Sequence, residues 1–196
     1  MRSFKTERRE KKITSVAAAR QKYLRIVLEN IHDPHNVSAI FRTCDAAGIP
    51  KVSLIYTKEK FPKIGKKSSA SAYKWIEKEK FSTVKDCYDK LHDEGFLIYA
   101  SSISDDAKNL YEIDLTKKVA IVLGNEHRGV SGDAADLADE KFLIPMFGMV
   151  QSLNVSVAAA IIAYEGLRQR KEMGMYESSE YSETELEKII DDWCKK

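Results

Sequence analysis

The chain has 196 residues, of which 43% are hydrophobic, so its length and composition suit one domain with a substantial core. Thirty-two basic against 30 acidic residues give a net charge of only +2, which does not by itself indicate a nucleic-acid-binding protein. The sequence has no signal peptide or apolar run of membrane-spanning length, and its three cysteines lack disulfide or metal spacing. We therefore expect a cytoplasmic protein with no membrane contact and no metal site.

The charges are concentrated at the two ends of the chain. Residues 1–25 contain nine Lys or Arg against two Glu, a local balance of +7. We expect residues 1–20 to form a basic arm that contacts RNA phosphates, although a frayed, solvated terminus would have the same composition. The last 25 residues have a balance of −5, and residues 176–196 are predicted to contain an acidic amphipathic helix that packs on the body or on a second subunit.

Apolar runs and helical periodicities alternate along the chain. The strand candidates are Leu24–Leu28, Lys51–Tyr56, Trp75–Phe81, Phe96–Ala100, Val119–Leu123 and Lys141–Ile144. The helix candidates between them are Val37–Ala47, Thr83–Asp93, Asp133–Ala138 and Val155–Lys171. This order predicts an α/β domain over residues 21–175, with a mostly parallel sheet flanked by helices.

The first predicted helix presents one charged side chain away from its apolar stripe. Helical spacing directs five side chains toward the core, and Arg42 lies outside that stripe; the five are Val37, Ile40, Phe41, Cys44 and Ala47. Asn36, just before the stripe, is the expected N-cap. On spacing alone, an outward arginine is more often a solvated surface charge than a catalytic group.

A carboxylate follows the apolar run Val119–Leu123. The next residues are Gly124, Asn125 and Glu126, and the carboxyl ends of parallel strands are where open α/β sheets bind ligands. The spacing of Gly124 and Gly129 also resembles a phosphate-binding P-loop. Val130 stands where that motif has its lysine, and Glu126 would repel phosphate, so an NTPase is a weak alternative.

A polar loop separates the last predicted strand from a nearly all-apolar helix. Pro145 and Gly148 interrupt regular structure, and Ser152 and Asn154 then place a hydroxyl and an amide where the helix begins. The two residues could simply be a turn residue and an N-cap. They could also belong to a site, because the unpaired N–H groups of a helix start favour oxygen-rich partners.

Together these segments resemble the three ordered motifs of the SPOUT-type RNA 2′-O-ribose methyltransferases, with the strongest likeness to the tRNA guanosine-18 2′-O-methyltransferases. The resemblance implies a C-terminal trefoil knot, a homodimer, S-adenosylmethionine as cofactor, and guanosine 18 of the tRNA D-loop as substrate. Methylation of rRNA or of the tRNA wobble nucleotide, and a non-catalytic RNA-binding module of the same fold, are the alternatives.

The resemblance also implies a set of site residues. The expected catalytic group is Arg42, Asn36, Glu126, Ser152 and Asn154. The expected cofactor-binding group is Ala100, Ser101, Leu123, Gly124, Glu126, Ile144, Met146, Ser152 and Leu153. Arg42 falls on the arginine that meets the cofactor across the dimer interface in this family, so we expect a monomer to be inactive. Because guanidinium stays protonated, we expect Arg42 to hold the phosphate beside the target ribose and to stabilise the developing alkoxide.

Overall fold

Seven parallel strands form one sheet in a computed structural model that describes residues 6–58, 60–62 and 72–196. The strands are β1 (Leu24–Glu29), β2 (Lys51–Ile55), β3 (Glu77–Phe81), β4 (Leu97–Ser101), β5 (Lys108–Asn109), β6 (Val119–Leu123) and β7 (Glu140–Leu143). The helices are α1 (Glu7–Ala18), α2 (Pro34–Ala46), α3 (Ala72–Trp75), α4 (Val84–Asp93), α5 (Gly132–Asp136), α6 (Val155–Glu172) and α7 (Glu183–Cys194).

The sheet has the order β3-β2-β1-β6-β4-β7-β5, and every pairing of neighbouring strands is parallel. Alternate side chains of each strand face opposite sides, so two separate cores form. One core packs the sheet against α2 and α6, and the other packs it against α4 and α5. The predicted α/β fold with a parallel sheet is therefore confirmed.

The element boundaries follow the predictions closely where apolar periodicity is strong. Strand β6 spans the predicted residues, whereas the run predicted as a strand from Trp75 is divided between α3 and β3. Strand β3 lies at the edge of the sheet and reads Glu-Lys-Glu-Lys-Phe, so its sequence contains little apolar signal to mark its start. Short β5 and helix α1 were not predicted; α1 has few apolar residues, and β5 is only two residues long.

Helix α2 begins earlier than its apolar stripe suggests. Asp33, and not Asn36, is the N-cap, because its side chain accepts a hydrogen bond from the His35 N–H at 2.8 Å. Pro34 occupies the first turn, where its missing N–H has no consequence. The prediction of Asn36 as N-cap was wrong, and Asn36 is instead a buried residue within the first turn.

The two charged ends of the chain pack against each other through apolar faces. Helix α1 contacts α7, and their shared cluster is Ile13, Ala17, Ile190, Trp193 and Cys194. The Trp193 ring lies 5.1 Å from that of Trp75, and the guanidinium of Arg20 lies over it. Within the predicted basic arm, Glu7–Ala18 is thus helical, while residues 1–5 lie outside the described residues.

None of the helices in the described part of the chain combines the length and apolar character needed to cross a membrane.

Candidate active site

A cavity of about 610 Å³ opens at the carboxyl ends of β4, β6 and β7 and at the start of α6; we call it the β6–α6 cavity. Eight of the nine residues predicted to bind the cofactor line it, namely Ser101, Leu123, Gly124, Glu126, Ile144, Met146, Ser152 and Leu153. The ninth, Ala100, is fully buried in the core beneath α4 and α5. The cavity has both apolar and polar walls, which suits a ligand with an aromatic base, a ribose and a charged tail.

Gly124 allows the loop after β6 to fold back over the strand end. A Cβ added to this residue would lie 2.1 Å from the backbone C and O of Gly129 and from the Val130 N. The turn closes through a 2.8 Å hydrogen bond from the Gly129 N–H to the Asn125 carbonyl, and Gly129 has a positive φ of 68°. Only glycine fits at position 124, and the close approach there shapes one wall of the cavity.

Three predicted catalytic side chains are hydrogen-bonded in a row beside this cavity. Asn36 Nδ2 donates to Glu126 Oε1 at 3.0 Å, and Asn154 Nδ2 donates to Asn36 Oδ1 at 3.1 Å. This row joins the loop after β6 to the first turns of α2 and α6. Each amide therefore has its donor and acceptor directions fixed by its neighbours.

Glu126 is held as a carboxylate. Burial alone would raise its pKa, but hydrogen bonds from Asn36 and from the backbone N–H groups of His32 and Asp33 outweigh that effect and lower the pKa below its ordinary value. The two backbone donors each lie 3.1 Å from a carboxylate oxygen. Sequence reasoning missed these two donors because backbone groups leave no residue signature.

Asn154 combines the two roles that its sequence position left open. It is the N-cap of α6, since its Oδ1 accepts from the Ser156 N–H at 2.8 Å, and its Nδ2 reaches Asn36. Ser152 is exposed in the lining of the cavity two residues earlier. The Asn154 side chain thus caps α6 with its oxygen and contacts the site residue Asn36 with its nitrogen.

Arg42 lies apart from this group. It is exposed on the outer side of α2, in a shallow cavity of about 300 Å³ that it shares with His35, Ser38, Ala39 and Thr43. Within the described residues it makes no hydrogen bond or ion pair, and it does not line the β6–α6 cavity. A single chain therefore brings together Asn36, Glu126, Asn154 and Ser152, and leaves Arg42 outside.

An apolar surface lies next to the site. The sequence of α6 is nearly all apolar in its first half, yet Val157 and Tyr164 are 47% and 52% exposed in the single chain. The loop before α6 adds Phe147, Met149 and Val150, all of which are also exposed. Large apolar side chains exposed on one helix and on the loop before it are typical of an interaction site.

The chain is similar in sequence and in fold to proteins of a known family. Residues 23–164 match the SpoU rRNA Methylase family. The tRNA (guanosine(18)-2′-O)-methyltransferase of Thermus thermophilus is 40% identical over 192 residues, which cover 98% of both chains. The enzyme of the same name from Escherichia coli is 39% identical over 181 residues, covering 91% of this chain and 79% of that one.

Solved structures agree with the sequence match. The Aquifex aeolicus TrmH/SpoU tRNA modifying enzyme aligns with a TM-score of 0.90 at 41% identity over 96% of each chain. The SpoU methyltransferase AviRb from Streptomyces viridochromogenes, in complex with the cofactor AdoMet, aligns with a TM-score of 0.67 at 25% identity over 78% of this chain and 62% of that one. By sequence across most of its length and by fold, this chain belongs to the SpoU methylase family.

Proposed function

We propose that the protein transfers a methyl group from S-adenosylmethionine to the ribose 2′-oxygen of guanosine 18 in the tRNA D-loop. Relatives about 40% identical over nearly the whole chain have that named activity. The observation that carries the proposal is the row Glu126–Asn36–Asn154, which fixes polar groups from the loop after β6 and from the starts of α2 and α6 beside one cavity at the carboxyl edge of the sheet.

The β6–α6 cavity is the proposed S-adenosylmethionine site. Leu123, Ile144, Met146 and Leu153 would hold the adenine, and Ser101 and Ser152 offer hydroxyls to the polar parts of the ligand. The close backbone approach at Gly124 leaves N–H and C=O groups, rather than a side chain, along that wall. When bound, S-adenosylmethionine supplies an already activated methyl group, so the protein has mainly to align the acceptor oxygen and stabilise its charge.

Arg42 is the proposed group that receives the acceptor nucleotide. A planar guanidinium matches a phosphate with two parallel hydrogen bonds, and its positive charge would stabilise the negative charge that builds on the ribose 2′-oxygen as the hydroxyl proton passes to solvent water. Asn36, Ser152 and Asn154 would orient the ribose. The carboxylate of Glu126 orients Asn36 in turn, because it accepts the Asn36 Nδ2–H.

The site is proposed to be completed by a second copy of the chain. Arg42 lies outside the cavity of its own chain, and the exposed apolar surface at Val157 and Tyr164 of α6 offers a dimer interface. We further propose that the loops 124–131 and 144–154 form the trefoil knot that the family resemblance implies. A cytoplasmic location is supported by three buried cysteines that are all free thiols.

The proposed function is tested by incubating the purified protein with S-adenosylmethionine and unmodified tRNA, followed by nuclease digestion and mass mapping. We expect one 2′-O-methylguanosine in the D-loop. Methylation of rRNA but not tRNA would retain the chemistry and overturn the substrate, and methylation at the wobble nucleotide would move the target. Binding of S-adenosylmethionine without transfer to either RNA would favour a non-catalytic RNA-binding role.

A further inference from the structure

A second cavity lies on the other side of the loop after β6. It measures about 780 Å³ and opens between the carboxyl ends of β1 and β2 and the start of α4; we call it the β1–α4 cavity. Asn125, Arg128 and Gly129 line both this cavity and the β6–α6 cavity. One turn of chain therefore separates the two spaces, and a nucleotide could reach both.

A buried carboxylate lines the second cavity. Glu29, the last residue of β1, is only 2% exposed, and its Oε2 accepts a hydrogen bond from the Ser131 N–H at 2.8 Å. Oε1 has no hydrogen-bond partner in the described part of the chain. This oxygen is not fully enclosed by protein atoms and keeps a small exposed area. One carboxylate oxygen is thus fixed by the fold and the other is accessible from the cavity.

The surroundings of Glu29 are ordered by short polar contacts. Asn30 has a left-handed φ of 51°, and its Oδ1 accepts hydrogen bonds from the N–H groups of Thr57 at 3.0 Å and Lys58 at 3.1 Å. The Asn125 amide donates to the Asn30 carbonyl at 2.7 Å. Lys58 and Lys85 add cationic groups to the cavity lining, Asp133 and Asp136 add acidic ones, and the space beside the buried acceptor is large enough for a purine base.

Accepting the proposed function, we propose that the β1–α4 cavity binds the guanine base of the acceptor nucleotide, with Glu29 Oε1 accepting its N1–H. A free oxygen on a buried carboxylate selects a base with an imino N–H, and proteins read splayed-out RNA bases on this edge. Adenine and cytosine have a lone pair, and no N–H, at the equivalent ring nitrogen. That nitrogen and the carboxylate oxygen would then be two acceptors facing each other without a hydrogen between them. Uracil also carries an imino N–H. We choose guanine over uracil because the relatives are named for a guanosine substrate.

The test uses nucleotide binding, which does not depend on methyl transfer. The full chain is titrated with GMP, IMP and AMP while the backbone amide of Ser131 is followed by NMR. We expect GMP and IMP, which both carry N1–H, to shift this amide and AMP to leave it unchanged. This titration uses the wild-type protein. Equal shifts with all three nucleotides, or no shift with any of them, would overturn the inference.

Variants give a second measurement. Glu29→Gln keeps an oxygen for the Ser131 N–H and turns a donor toward the base, so we expect it to lower kcat/KM for tRNA with guanosine or inosine at the target by about 10- to 100-fold. S-adenosylmethionine affinity should stay within about twofold of wild type, since Glu29 does not line that cavity. Glu112→Gln, the same substitution at an exposed carboxylate that lines neither cavity, should keep the guanine preference.

The outcomes separate the two proposals. If tRNA is methylated and Glu29→Gln retains the wild-type preference for guanosine, the guanine pocket is wrong and the proposed function stands. If GMP and IMP shift the Ser131 amide in wild type but no tRNA is methylated, the pocket stands and the proposed function is wrong.

Discussion

Arg42 is exposed and, unlike Asn36, Glu126 and Asn154, its side chain has no partner in the described part of its own chain. Replacing it should therefore affect turnover and leave the free energy of unfolding unchanged. Arg42→Lys keeps the charge and loses the two-bond fit to phosphate, so we expect kcat/KM for tRNA to fall by about 10- to 100-fold. Steady-state methyl transfer and urea unfolding measure the two quantities. Near-normal turnover by Arg42→Lys would rule out the paired phosphate contact.

Asn36 is buried in the row of side chains and should affect both stability and pH dependence. Asn36→Ala removes a donor to the Glu126 carboxylate, which should lower the free energy of unfolding by about 1–3 kcal/mol at neutral pH. The folded pKa of Glu126 is lowered, so its contribution to stability is present above its ordinary value and is lost as pH falls through the lowered pKa. The deficit of Asn36→Ala should therefore shrink below about pH 4.5 in urea titrations across pH.

Asn154→Ala provides the matched control for this pH dependence. It breaks the other end of the row and removes the N-cap of α6, while Glu126 keeps its bond from Asn36. We expect a loss of about 0.5–2 kcal/mol that stays constant through the same pH range. A deficit that shrinks equally in both variants would show that Glu126 is not the titrating group.

At the scale of the elements, the loop after β6 carries the tightest constraint of the site. Gly124→Ala places a methyl group against the backbone of Gly129 and Val130, so the loop must move. We expect stability to fall by about 1–3 kcal/mol and S-adenosylmethionine affinity to fall with it. Gly132→Ala is the control, since nothing lies within 4 Å of its added Cβ. Thermal unfolding and calorimetric titration of both variants give the comparison, and equal behaviour would contradict the constraint.

The sequence predicts elements well where burial imposes a period. The five apolar residues of the α2 stripe are all buried, and Arg42 is exposed, as predicted. The parallel sheet followed from the alternation of such runs. Periodicity could not predict α1, whose stability depends on contact with α7, or the early start of α2, which depends on the cap at Asp33. Local sequence does not encode which distant segment will supply the missing apolar surface.

The site residues divide in the same way: some can be predicted from the local sequence, and others depend on contacts with distant segments. Ser152 and Asn154 were singled out because helix starts have strong local preferences, whereas Gly124 was implied by the family resemblance. The hydrogen bonds from His32 and Asp33 to Glu126 join positions more than 90 residues apart. The surroundings of Glu29 likewise come from segments that are distant from it in the sequence. Such contacts form only when the sheet order brings the strand ends together.

At the scale of the whole molecule, the exposed position of Arg42 supports the proposal that a working site needs two chains. In that proposal the exposed face of α6 would supply the interface, and Tyr164→Glu would place a charge within it. We expect that variant to sediment as a folded monomer without methyl transfer, whereas Tyr164→Phe should remain a dimer. An active Tyr164→Glu monomer would contradict the two-chain site.

Mixed dimers determine which chain supplies Arg42. Chains carrying Arg42→Ala and chains carrying Asn154→Ala should each be inactive alone, and differentially tagged chains can be co-expressed and purified as mixed dimers. If Arg42 acts in the partner's cavity, each mixed dimer has one intact site and one doubly defective site, so about half of wild-type kcat should return. If Arg42 acts within its own chain, neither site of a mixed dimer is intact and no activity should return. Methyl transfer to tRNA by the purified mixed dimers therefore distinguishes the two arrangements without requiring a structure of the complex.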